Sequence, residues 1–177
     1  MTEHLPFTAL SESRWANGQG RKADIAGGDG WSLGFAWLDG TAPFSDYTGI
    51  NRTITLLEGD GFVLDFVSQP PLTVAHVGVP ADFDGGWPTQ CRLLGGPCCV
   101  LNAASARGRW RHVVRIAAPH GAGRLQAGNF VVVLRGQALV GADAVGPRDS
   151  LRVTAPAAIS GSADALVALV HFELDTQ

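Results

Sequence analysis

Short apolar runs rich in β-branched residues recur along this chain at intervals of roughly ten residues, with Gly, Pro, Asn or Asp between them. The runs predict strands at Thr53–Leu57, Phe62–Phe66, Leu72–Val77, Gln90–Leu94, His112–Ile116, Phe130–Leu134, Ala138–Gly141, Ser150–Val153 and Leu166–Leu174. Glu58-Gly59-Asp60-Gly61 and Arg135-Gly136-Gln137 read as tight hairpin turns in which glycine takes a positive φ. Helical periodicity is weak and confined to Asn102–Arg107. Evenly spaced short strands with turn signals define an all-β protein, a sandwich or barrel with little helix.

The chain also repeats itself. Leu57-Glu58-Gly59-Asp60-Gly61-Phe62-Val63-Leu64 matches Leu134-Arg135-Gly136-Gln137-Ala138-Leu139-Val140-Gly141 at an offset of 77. Val79-Pro80-Ala81-Asp82-Phe83-Asp84-Gly85 matches Ala155-Pro156-Ala157-Ala158-Ile159-Ser160-Gly161 at an offset of 76. Two matches at nearly one offset indicate two copies of a unit of about 75 residues. Tandem jelly-roll barrels, the double cupin architecture, are the expected fold. The whole chain, 1–177, then forms one bicupin unit, with an N-terminal half at about 14–105 and a C-terminal half at about 110–177.

Composition narrows the class. At 177 residues, 46% apolar and only 16% charged, the chain can bury a core and is not a disordered or solvating protein. Its 23 glycines and 10 prolines are too many for a helical bundle. No apolar run reaches the roughly 18 residues of a membrane-spanning helix, and Met1–Pro6 lacks a basic segment followed by an apolar one. The reading is a soluble cytoplasmic protein with no membrane partner. The three cysteines, Cys91, Cys98 and Cys99, form neither an even framework nor a Cys-x-x-Cys pair and read as small buried hydrophobes.

Several ordered blocks resemble the HutD/Ves family. Trp15-Ala16-Asn17-Gly18-Gln19-Gly20 resembles its Trp-x-Asn-Gly-Gly-Gly signature, and Trp31-Ser32-Leu33-Gly34-Phe35-Ala36 its Trp-Arg-x-Ser-x-Ala. Pro43-Phe44-Ser45-Asp46-Tyr47-Thr48-Gly49-Ile50-Asn51-Arg52 is similar to its Gly-Pro-Phe-Ser-x-Phe-x-Gly-x-Asp-Arg block. Phe83-Asp84-Gly85 matches its Phe-Asp-Gly element, and Gly96-Pro97 with Asn102 its Gly-Pro-x-x-Asp-x-Asn. The departures are Lys22 for a usual Thr, Ser32 and Gly34 for the Arg and Ser, and Val100 for an Asp. The resemblance covers about residues 14–110. It implies a cupin-like fold, an association with histidine utilisation, and a regulatory role sensing an acidic intermediate such as formylglutamate, with no established enzymatic activity.

The site follows from the residues. Metal-dependent cupins need neighbouring imidazoles on one strand face, and no two of His4, His76, His112, His120 and His171 are within two residues, so neither metal nor other cofactor is expected. Arg52 opens a strand, where it either clamps a carboxylate in a barrel mouth or pairs with Asp46 or Asp84. The Trp15–Gly20 block is either a ligand loop or a turn that packs Trp15. The candidate ligand-binding set is Trp15, Asn17, Ser45, Arg52, Asp84 and Asn102, with no catalytic residue assigned. Arg107-Gly108-Arg109-Trp110-Arg111-His112, with Arg115 beyond, is a basic cluster. Against a net charge of −3 it reads as a solvated junction between the copies, not a nucleic-acid surface. The leading function is a metal-free binding protein for a small carboxylate, regulatory in amino-acid (histidine) utilisation. The alternatives are a cofactor-independent isomerase or lyase and a structural or partner-binding protein; the sequence leaves room for a homodimer.

Overall fold

The computed structural model describes residues 1–15, 18, 20–120 and 123–176. Among the described residues the chain forms nineteen strands and one 3-10 turn at Phe7–Ala9. The first ten strands are β1 (Thr2–Leu5), β2 (Glu12–Arg14), β3 (Gly20–Gly28), β4 (Trp31–Leu38), β5 (Ala42–Pro43), β6 (Ile50–Glu58), β7 (Phe62–Phe66), β8 (Leu72–Val74), β9 (Pro80–Asp84) and β10 (Thr89–Leu93). They are followed by β11 (Cys98–Ala106), β12 (Trp110–Ala117), β13 (Gly123–Leu125), β14 (Asn129–Arg135), β15 (Ala138–Val140), β16 (Asp143–Val145), β17 (Ser150–Val153), β18 (Ala157–Gly161) and β19 (Leu166–Leu174). No helix among the described residues is long and apolar enough to cross a membrane.

The chain divides into two compact units, Ser11–Arg111 with Leu174–Gln177, and Met1–Leu10 with His112–Glu173. The former, the N-terminal unit, orders its strands β2-β3-β4-β11-β6-β9 in one sheet and β5-β10-β7-β8 in the other. The C-terminal unit runs β1-β17-β14-β19-β12 and β13-β18-β15-β16. Without the flanking strands β1, β2 and β3, these are one order used twice. β9-β6-β11-β4 corresponds to β17-β14-β19-β12, and β5-β10-β7-β8 to β13-β18-β15-β16. β1 is an addition to the edge of β17, pairing Thr2 with Val153 and Leu5 with Ser150.

Register confirms the equivalence. The β6–β11 ladder slips between Cys99 and Val100, where Glu58 and Leu56 are the partners. The β14–β19 ladder slips between Val133 and Arg135, where Val167 and Leu166 are the partners. Aligning Leu56 with Val133 and Val100 with Val167 brings both irregularities to one place, the kind of local kink that pins strand pairing. Gly59 and Gly136 are also equivalent, with φ of 102° and 68°. A Cβ on Gly59 would lie 2.7 Å from Pro97 O, and one on Gly136 would lie 2.8 Å from Ala165 N. Each turn therefore needs glycine twice over, for its dihedral and for the close approach.

Two expectations are corrected. The repeat match of residues 79–85 with 155–161 joins strands that are not counterparts, because β9 pairs with β6 whereas β18 pairs with β15. The true counterpart of β9 is β17, which pairs with β14. Residues 102–106, with their weak helical period, lie in β11, where small Ala and Ser side chains fit a strand flanked on both sides by β4 and β6. Tertiary pairing overrides propensity there.

Each unit has its own core. In the N-terminal unit Ala36, Leu38, Ile54, Leu56, Phe62, Leu64, Cys91, Cys98 and Val100 pack together from both sheets. In the C-terminal unit the cluster holds Val131, Val133, Val140, Leu151, Ile159 and Val167. The three cysteines are buried and none is in a disulfide. Burial, then nearby Cys98 and Asp65, pushes the Cys91 thiol up to about 12, and burial also raises Cys98. Thiolate is the reactive form, so the folded protein at pH 8 is expected to react with an aromatic disulfide reagent far more slowly than the denatured chain. Rapid labelling of Cys91 without denaturant would contradict this.

Candidate functional site

Side chains alternate across a strand. Ile54 and Leu56 point into the core, so Arg52 on β6 points the same way. Cys98 and Val100 likewise bring Asn102 and Ala104 inward on β11, and Ala36 and Leu38 bring Ser32 and Gly34 inward on β4. At one end of the core the apolar sequence therefore gives way to small and polar residues. A cavity of about 80 Å³ opens there, lined by Trp15, Lys22, Asp24, Ser32, Gly34, Phe35, Ala36, Phe44, Ser45, Tyr47, Arg52, Asn102 and Ala104. That is room for a few waters or one small polar molecule.

Arg52 is only 7% exposed. Its guanidinium carbon lies 5.0 Å from the centre of the Phe83 ring and 5.1 Å from those of Phe44 and Tyr47. Its Nη2 donates to Asn102 Oδ1 at 3.1 Å. Arg52 is directly opposite Ala104 in the ladder, and that methyl leaves the diagonal route to Asn102 open. Burial pushes the guanidinium down to about 10, with Tyr47 acting in the opposite direction; at neutral pH it is a buried cation.

Pairing of Arg52 with Asp46 or Asp84 does not occur. Asp46 accepts hydrogen bonds from Thr48 N at 2.9 Å and Thr48 Oγ1 at 2.7 Å, closing its own turn. Asp84 accepts from Gly86 N at 2.9 Å and pairs with Arg107 Nη2 at 2.6 Å. The Gly86 amide, followed by Arg107, holds the Asp84 carboxyl below the usual range. Among the described residues no carboxylate pairs with Arg52, which leaves a buried cation held by three rings and one amide.

Glycines explain two of the sequence blocks. A Cβ on Gly20 would lie 2.9 Å from the Trp15 ring, so that ring packs on the Gly20 backbone, with Trp15 N donating to Gly20 O. Trp15 also meets Phe44 edge-on at 5.8 Å and lines the cavity. A Cβ on Gly85 would lie 2.9 Å from Tyr47 Cβ and 3.0 Å from Arg52 Cδ. Phe83-Asp84-Gly85 thus supplies one ring of the cage and the space beside it.

Of the six sequence-predicted site residues, Trp15, Ser45, Arg52 and Asn102 converge on the cavity. Asp84 lies outside its lining, engaged by Arg107, and Asn17 lies outside the described residues. The sequence reading missed Lys22 and Asp24 of β3, whose side chains pair at 2.8 Å at the cavity, and Tyr47. Lys22 and Asp24 sit two apart, the spacing that puts two strand residues on one face. The departures Ser32 and Gly34 both line the cavity. A Cβ on Gly34 would lie 2.7 Å from Ala23 O, so glycine lets β3 close in there.

The basic cluster is largely neutralised: Arg107 pairs with Asp84, Arg109 with Asp29 at 2.5 Å, and Arg111 with Asp175 at 3.6 Å. Among the described residues no group of three His, Cys, Asp or Glu side chains is arranged to hold a metal ion. The cavity itself, with one carboxylate and two cations, does not suit the divalent metal that many cupins carry.

One antiparallel strand order used twice, with a polar cavity at one end of the first core, defines an all-β protein of the cupin-like fold class. The cupin 2 conserved barrel domain protein from Leptotrichia buccalis shares this fold, with a TM-score of 0.65 at 12% identity over 98% of this chain and 96% of that one. The chain belongs to the HutD family, whose model matches residues 8–171. The structure of HutD from Pseudomonas fluorescens SBW25 has the same fold, with a TM-score of 0.85 at 21% identity, covering 99% of this chain and 100% of that one. An uncharacterized 21.2 kDa protein in the hutC 3' region of Pseudomonas putida is 32% identical over 127 residues, 68% of this chain. The chain spans 65% of that relative's length.

Proposed function

We propose that this HutD-family chain is a binding protein whose N-terminal cavity takes a small carboxylate, and that it acts in the regulation of histidine utilisation. The observation that carries the reading is Arg52, buried in the cavity wall without a carboxylate partner among the described residues. Burying a cation is unfavourable unless it is paired, and a ligand carboxylate is the missing partner in both charge and fork geometry. Ser45 and Asn102 add short polar groups beside it. The lining contains no histidine, and its one carboxylate, Asp24, is bonded to Lys22, an arrangement suited to holding an anion and poor in free general bases. The link to histidine utilisation is supported by the relative from Pseudomonas putida, whose name places it next to hutC.

Small dicarboxylates and acyl amino acids are expected to raise the melting temperature in proportion to occupancy. Arg52→Ala should abolish that rise, and Arg52→Lys should keep part of it, because an ammonium lacks the fork. Loss of the charge-assisted bonds corresponds to about 1.5–3 kcal/mol of affinity. An undiminished ligand response in an Arg52→Ala protein with native circular dichroism would overturn the assignment.

A further inference from the structure

Duplication places a second cavity where the first one lies. With the register fixed by the two ladder irregularities, Arg52 corresponds to Asn129, Asn102 to Leu169 and Ala104 to His171; Asn129 and His171 are opposite each other just as Arg52 and Ala104 are. Asn129, Leu169 and His171 all line a wider cavity of about 380 Å³ in the C-terminal unit. Asn129 stands where β6 of the first unit has its cation. Two cations enter instead from other strands, Arg115 on β12 of the same sheet and Arg124 on β13 of the facing one.

This wall is built for negative charge. Its lining contains no Asp or Glu, and among the described residues neither Arg115 nor Arg124 has an acidic partner. Arg107, Arg109 and Arg111, earlier in the same segment, each have one. Asn129 Oδ1 accepts from Gln126 N at 3.0 Å, which fixes the amide and turns its Nδ2 toward His171 Nδ1 at 3.3 Å. An amide nitrogen only donates, so Nδ1 is the acceptor of this bond. The cavity thus gathers two guanidinium groups beside the Asn129–His171 pair.

We propose that the C-terminal cavity is a second, independent anion site that binds the phosphate group of a small phosphorylated molecule. A carboxylate has two oxygens and is saturated by one fork, whereas a phosphate dianion has three terminal oxygens and a charge matched by two arginines. Both arginines are exposed, so binding is expected to weaken as salt rises.

The test is calorimetric titration of the full chain with inorganic phosphate, with a sugar phosphate, and with sodium chloride at matched ionic strength. Both phosphates should bind and chloride should not; tighter binding of the sugar phosphate identifies a phosphate ester as the occupant, and equal binding identifies free phosphate. Arg115→Gln and Arg124→Gln, surface changes that leave the core untouched, should each weaken phosphate roughly tenfold or more. Arg52→Ala should leave phosphate binding intact, which separates this site from the N-terminal one. Absence of phosphate binding, an equal response to chloride, or unchanged binding in the Arg115→Gln/Arg124→Gln double variant would overturn the proposal.

Discussion

Arg52→Glu is expected to destabilise the protein by about 3–5 kcal/mol, whereas Arg52→Met should leave stability unchanged or higher. The native cation lies against the faces of Phe44, Tyr47 and Phe83, which attract positive charge and repel negative charge. A carboxylate in the same place loses that attraction and is still out of water. Methionine fills similar volume, and its sulfur packs well against aromatic rings. Burial already depresses the Arg52 guanidinium to about 10. The fold therefore carries a penalty for the charge at every pH below that value, and the penalty fades only as pH rises from there toward the higher value of an arginine in the unfolded chain. For Arg52→Glu the sign reverses. A buried Glu has its pKa raised, so its penalty is present above the raised value and disappears as pH falls below the ordinary carboxyl range. Denaturant midpoints at pH 7 and pH 4 decide the matter: an Arg52→Glu protein as stable as the native one at pH 7 would mean that the cage is open to water.

Gly61→Ala is expected to lose about 3 kcal/mol or more. Gly61 has φ of 92°, and a Cβ there would lie 2.4 Å from Val74 O and 2.8 Å from Ala75 Cα. Both are backbone atoms at the end of β8, so relief requires opening the β7–β8 pairing. Gly96→Ala is the control: a Cβ there meets nothing within 4 Å, and it should be neutral or gain about 0.4–1 kcal/mol through a stiffer unfolded chain. Equal melting temperatures for the two variants would show that the turn relaxes without strain.

The fold was legible where strands alternate and where β-branched residues crowd together. Phe62–Phe66 and Ser150–Val153 are strands at the bounds expected from sequence. The turn-and-strand match of residues 57–64 with 134–141 joins strands that are true counterparts. β3, β4 and β11 were not legible. Gly20–Gly28 and Cys98–Ala106 are rich in Gly, Ala, Ser and Cys, and Trp31–Leu38 interrupts its large apolar residues with Ser, Gly and Ala; what makes them strands is their pairing with one another and with β6. The same strands carry much of the cavity wall. Arg52, Trp15, Ser45 and Asn102 could be named from their sequence blocks, but Lys22 and Asp24 meet them only through the β3–β4–β11 ladder. Arg52's freedom from acidic partners was equally invisible, because it depends on Asp46 being satisfied within its own turn and Asp84 by Gly86 and Arg107.

The pairing of β1 with β17 has a consequence for how the chain assembles. β17 would otherwise end its sheet with a row of unpaired amides and carbonyls, the surface on which separate molecules join into aggregates. Its cover comes from the opposite end of the sequence, a contact that demands closure of a very long loop and so is kinetically late. An interval in which that edge is bare is then expected between collapse of the C-terminal core and arrival of β1. Refolding yield should therefore fall with protein concentration more steeply than native stability alone would suggest.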